Sequence, residues 1–172
     1  NSRLIITGYF PEECGSQGEE GPFNQNSRHG SLIMRLIKDL GLSLESDTYL
    51  TYLVKCAPCI SSETGENSKN TKFGPSEAHI SNCINYFTEE ISIITPHIIV
   101  SLGLDASNII LKNFFSSARQ YQDMSKLHMK LFENPSFKLV PFYSPADVFD
   151  GKISESRYFE DFKNLSKLFS LV

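Results

Sequence analysis

Ile94-Thr-Pro-His-Ile-Ile-Val-Ser-Leu-Gly-Leu-Asp-Ala106 decides how this chain folds. Pro96 lacks an N–H and its ring clashes inside a helix, so it ends whatever helix precedes it. The run from His97 to Leu102 is short, mostly apolar and β-branched, the composition of a strand covered on both faces. Gly103 breaks the run, and Asp105 reads as the N-cap of a helix from Ala106 to Phe115. Strand, glycine turn and capped helix make half of a βα unit. In open α/β sheets, ligands bind beyond the carboxyl ends of the strands. The loops leaving those ends are therefore the places to look for function.

The pattern repeats on either side of this stretch. Arg3 to Thr7 reads as a strand ending at Gly8. A long loop rich in Gly, Pro and Glu follows as far as Phe23, and long loops inside compact domains usually carry function or are disordered. Leu32, Ile33, Leu36, Ile37 and Leu40 fall at helical spacing, with Gly41 closing the helix. Thr48 to Lys55 is β-branched and aromatic, a second strand. Residues 61–74 are polar and read as a solvated insertion. Pro75 and Ser76 open a helix whose buried stripe is Ile80, Cys83, Ile84, Phe87, Ile91 and Ile94. Phe137 to Phe142 is a fourth strand, and Ser156 to Phe169 a closing helix. The alternation predicts a three-layer α/β/α sandwich around a central, mostly parallel sheet of about four strands.

With 172 residues, 40% of them hydrophobic and 21% charged, the chain has the size and balance of one globular domain spanning 1–172. A net charge of −4 argues against a dominant nonspecific hold on nucleic acid. No apolar run approaches the ~18 residues of a membrane span, and no signal peptide is visible. The expected setting is intracellular, with no membrane partner. Four cysteines are too few for a disulfide scaffold at this size. There is no phosphate loop, no GxGxxG after the first strand, no HExxH and no GxSxG. The four histidines, His29, His79, His97 and His128, stand in unrelated contexts and suggest no constellation.

Taken together, the order and spacing resemble the uracil-DNA glycosylase superfamily, closest to its family-4 branch. The resemblance runs from Leu4 to Phe169. Its most specific part is Glu77-x5-Cys83-x2-Tyr86-Phe87, then Ile91, Pro96 and Ile98-Ile-Val-Ser-Leu-Gly103-x2-Ala106. Gly8-x2-Pro11, Pro22-Phe23, Tyr49-x-Thr51-x2-Val54-Lys55-Cys56 and Tyr143-x-Pro145 support it. The resemblance implies a pocket at the strand ends that receives a uracil flipped out of DNA. In it, an aromatic side chain stacks on the base and an amide reads its edge. A carboxylate near the first loop assists the attacking water, and a histidine steadies the charge of the leaving base.

This sequence departs from the family at the chemical positions. Within the implied pocket of Gly8, Tyr9, Phe10, Pro11, Phe23, Tyr52, Ser144 and Pro145, Tyr9 stands where the acidic residue is expected, Tyr52 where the asparagine is, and Ser144 where the histidine is. Phe23 keeps the stacking position. Glu12 and Glu13 are near enough in sequence to stand in for the lost carboxylate. A tyrosine cannot offer the paired donor and acceptor of an amide, and a serine cannot carry a positive charge. The family's iron–sulfur cluster is not expected and no cofactor is assigned. Cys56 and Cys83 match two of its four ligands, and the other two fall before the first strand. Cys14 and Cys59 are extra. Two readings follow. One is a glycosylase fold that has lost catalysis and serves as a DNA- or protein-binding or structural module. The other is an active glycosylase with a rearranged pocket, excising uracil in base-excision repair. A third, an unrelated nucleotide-binding α/β protein, is disfavoured by the missing phosphate loop.

Overall fold

The computed structural model describes residues 4–11, 23–55, 74–116 and 119–169. In chain order the elements are β1 (Leu4–Gly8), α1 (Arg28–Asp39), β2 (Thr48–Tyr52), α2 (Glu77–Ile94), β3 (Ile98–Leu102) and α3 (Leu104–Phe114). A 3-10 turn (Met124–Lys126), β4 (Phe132–Glu133), β5 (Lys138–Phe142), α4 (Pro145–Phe149), α5 (Glu155–Asn164) and α6 (Ser166–Phe169) complete them.

The sheet runs β2-β1-β3-β5-β4. Its first four strands are parallel, and β4 adds an antiparallel edge. Every residue of β1 and β3 is buried, which explains why both read as apolar runs without alternation. The period of two still sorts them. Leu4, Ile6, Val100, Leu102, Val140 and Phe142 pack against α1 and α5. Ile5, Ile99 and Leu139 pack against α2 and α3. Helices thus cover both faces, as the alternation predicts.

Four details differ from the sequence expectation. First, β4 is a two-residue strand with no sequence signal. It forms because the Asn134 side chain accepts from the N–H groups of Ser136 and Phe137, turning the chain back onto β5. It pairs only with Lys138 and Leu139, so Pro141, with no N–H, lies beyond the antiparallel ladder. Second, β2 stops at Tyr52 rather than Lys55, although the N–H groups of Leu53 and Val54 still donate to the carbonyls of Gly8 and Tyr9.

Third, α3 begins at Leu104 with Gly103 as its N-cap, not Asp105. Gly103 takes φ +91, open to glycine and strained for other residues, so the helix starts directly at the strand end. Asp105 falls in the first turn, where its charge suits the helix dipole. Ser107 finishes the turn: its hydroxyl donates to the Gly103 carbonyl at 2.7 Å. Its only hydrogen is thereby committed, so the buried Ser101 hydroxyl, 2.8 Å away, donates to it. Fourth, the closing helix starts at Glu155 under a Ser154 cap and is interrupted at Leu165 before α6.

Candidate functional site

Parallel pairing puts the ends of four strands on one edge. Gly8 lies opposite Tyr52, Thr7 opposite Ser101 and Leu102 opposite Phe142. The turns after Gly8, Tyr52, Gly103 and Tyr143 therefore gather where a ligand site is expected.

Phe23 and Tyr52 are brought together there. Their ring centroids are 4.6 Å apart with planes at 33°, and both close over Gly8, where an added Cβ would come within 3.0 Å of the Tyr52 ring and 3.1 Å of Phe23. Phe23 is buried, 7% exposed. Its backbone holds φ 58, a left-handed conformation rarely adopted by a bulky side chain. The Phe23–Asn24 backbone lies directly on Gly30 in the first turn of α1.

Tyr9 turns away from these rings. Its hydroxyl donates to the Pro75 carbonyl at 3.4 Å, its ring meets Phe10 edge-on at 5.1 Å, and it packs with the α2–α3 core. Burial, with Asp105 adding its negative charge, holds its hydroxyl above the usual tyrosine range, so it remains a neutral donor.

Ser144 is the N-cap of α4. Its hydroxyl donates to Oδ2 of Asp147 at 2.8 Å and accepts from the Asp147 N–H at 3.2 Å, while its own N–H donates to Oδ2 at 3.0 Å. This is a capping box, and Pro145 at the first helical position has the φ such a start needs. Lys152 pairs with the other carboxylate oxygen of Asp147 at 2.5 Å. Sequence reasoning missed α4, although Ser-Pro-x-Asp carries its signature.

On the opposite side of β2, Glu90 of α2 gathers Lys55 (2.6 Å), Thr51 (3.2 Å) and Tyr49 (3.2 Å). This ties the exit of β2 to α2. His128 was also missed. Its Nε2 lies 3.1 Å from Asp161 of α5, a partner 33 residues away that no local spacing could reveal. Glu12, Glu13, Cys14, Cys56 and Cys59 lie outside the described residues, as does most of the 61–74 insertion.

The uracil DNA glycosylase superfamily profile matches residues 1–165. The chain belongs to the uracil-DNA glycosylase superfamily. It is 27% identical over 143 residues to a type-4 uracil-DNA glycosylase of Archaeoglobus fulgidus, covering 81% of this chain and 64% of that protein. It is 30% identical over 146 residues to the type-4 enzyme of Saccharolobus solfataricus, covering 82% and 61%. It is 29% identical over 172 residues to that of Sulfurisphaera tokodaii, covering 97% and 70%. The chain thus spans 61–70% of the length of these curated relatives.

Within the uracil-DNA glycosylase superfamily, the family-4 resemblance raises an iron–sulfur cluster. Of the four cysteines only Cys83 is described, buried on α2. No three His, Cys, Asp or Glu among the described residues could jointly hold a metal ion, so these residues do not by themselves assemble a cluster site. No helix among them is long and apolar enough to cross a membrane.

Proposed function

We propose that this uracil-DNA glycosylase-like domain, taken as one unit over 1–172, has lost base excision. In this reading it works inside the cell, without a cofactor, as a DNA- or protein-binding module. One observation carries the reading: the Tyr52 ring lies on Phe23. A flipped uracil needs an open aromatic face to stack on and an amide to read its edge. Here the residue at the amide position covers the stacking residue instead. The other two replaced positions support the same conclusion. Tyr9 faces Pro75, and the Ser144 hydroxyl is engaged in capping α4. Removing a single well-placed electrostatic donor commonly costs ~10²–10³ in rate, and an unread base is not selected.

DNA is the partner class suggested by the type-4 relatives. With a net charge of −4, binding is expected to be weak and to fall steeply with salt. The deciding experiment is an abasic-site assay on single- and double-stranded uracil-containing DNA, at high protein concentration and long incubation, beside an active type-4 enzyme. No release of uracil is expected. Robust cleavage abolished by Glu12→Gln or Glu13→Gln would establish instead an active glycosylase with a rearranged pocket.

A further inference from the structure

Tyr143 leads β5 into the Ser144-Pro145 turn, and side chains from elsewhere hold both of its backbone polar groups. Its carbonyl accepts from the Tyr158 hydroxyl at 2.7 Å. Its N–H donates to Nδ1 of His128 at 3.4 Å. The other ring nitrogen of His128, Nε2, lies 3.1 Å from Oδ2 of Asp161. The imidazole also meets Phe142 edge-on at 4.9 Å and Tyr143 at 4.8 Å. Only 11% of the His128 side chain and 4% of that of Asp161 are exposed. These contacts fix the tautomer. Nδ1 must accept from Tyr143, so Nε2 carries the proton and donates to Asp161. A second proton can go only to Nδ1, where it would confront the Tyr143 N–H, donor against donor.

We propose that His128 is a proton-operated latch on the turn that carries Ser144: neutral, it holds the Tyr143 N–H; protonated, it releases it and loosens the turn. The latch does not depend on whether the domain excises a base.

The groups around the imidazole set the direction of the switch. From α5 come Asp161, which favours the imidazolium, and Arg157, which opposes it and already pairs with Asp161 at 2.9 Å. From the turn after β5 and from α5 come the hydroxyls of Tyr143 and Tyr158, both kept neutral by burial first of all. Asp123, Asp147 and Lys152 act on Tyr143 from the surrounding turns. Burial is the largest influence on His128 and outweighs Asp161, holding its pKa below the ordinary histidine value. The turn is therefore fastened at neutral pH and released on the acid side.

Backbone amide exchange and imidazole nitrogen shifts, measured by NMR on the full chain across pH, test this. In the parent, the shifts are expected to report the Nε2–H tautomer at neutral pH. Protection of the Tyr143 amide, corrected for intrinsic exchange, should fall about fivefold as His128 titrates, the size of one net hydrogen bond. His128→Asn places an acceptor near Nδ1 and cannot titrate, so its Tyr143 protection should be independent of pH. His128→Gln reaches toward Asp161 but leaves the N–H without an acceptor, so protection should be low throughout. An Nδ1–H tautomer in the parent at neutral pH, or the parent's pH profile persisting in His128→Asn, would overturn the latch. Should either variant fail to fold, the tautomer and the Tyr143 profile of the parent decide alone.

Discussion

The ring of Tyr52 rests on that of Phe23 with 4.6 Å between centroids, and the backbone under Phe23 is held at φ 58 to place it there. A bulky residue in this region costs on the order of 1–3 kcal/mol and persists only where its surroundings enforce it. The surroundings here are the core shared with α1 and the backbone contact with Gly30. Phe23 and Tyr52 thus form a packed aromatic corner beside Gly8.

Replacing Tyr52 with Asn should uncover Phe23. Because Tyr52 is only half-buried, the expected loss is about 1–3 kcal/mol, below that of a fully buried aromatic. It should appear as a lower urea midpoint with an unchanged slope. The variant should also gain binding of deoxyuridine, seen as ligand line broadening absent in the parent. Unchanged stability with no gained binding would show that Tyr52 is not what covers Phe23.

Gly30 permits the crossing of the Phe23–Asn24 backbone. A Cβ there would run into the Asn24 carbonyl, and backbone cannot move aside as a flexible side chain can. Alanine improves helix propensity by ~1 kcal/mol elsewhere, but here Gly30→Ala should destabilise by about 1–3 kcal/mol through overpacking. Thermal unfolding gives the sign; a stabilised variant would contradict the described path of residues 23 and 24.

The sheet was legible because β1, β3 and β5 advertise themselves by composition and by what punctuates them: Gly8, Pro96 and Gly103. Asp105 was misplaced as a cap because its residue type favours that position, while the positive φ of Gly103 moved the helix start forward. At the site, the family resemblance pointed to Phe23, Tyr52 and Ser144, and all three lie near the strand ends. It could not show that Tyr52 lies on Phe23, or that Ser144 is a helix cap, because side-chain direction is decided by tertiary packing. His128 and Asp161 were invisible for the same reason: their contact joins the segment before β4 to α5.

Tyr158 is fully buried, and burial first, with Asp147 adding to it, raises its hydroxyl far above the usual range. It therefore donates to the Tyr143 carbonyl at every accessible pH. Tyr158→Phe keeps the ring among Phe142 and its neighbours and removes only the donor. Leaving a part-buried carbonyl unsatisfied should cost about 1–3 kcal/mol, while the pH at which His128 titrates stays as in the parent. Chemical denaturation and the His128 titration curve read the two effects separately.

The last prediction concerns acid. Burial pushes the Asp147 carboxyl upward, but the Lys152 hydrogen bond and those from the Ser144 N–H and hydroxyl together outweigh it, holding the pKa below the usual value. The folded state thus holds this proton less readily than the unfolded chain does. Asp147 contributes stability that is fully present above the unfolded carboxylate value of about 4, and lost as pH falls through the lower folded value. His128 is depressed too, so its contribution starts to decline earlier, below about 6.5. Stability should therefore fall in two steps on acidification. Asp147→Asn, which keeps an acceptor for the Ser144 groups, should flatten only the lower step. His128→Asn should flatten only the upper. Lys152→Met should shrink the lower step, because Asp147 then loses the partner that holds its proton off and its folded value rises toward the unfolded one. Urea midpoints measured from pH 7 to pH 3 read all three, and a lower step unchanged in both Asp147→Asn and Lys152→Met would show that acid acts on α4 through some other carboxylate.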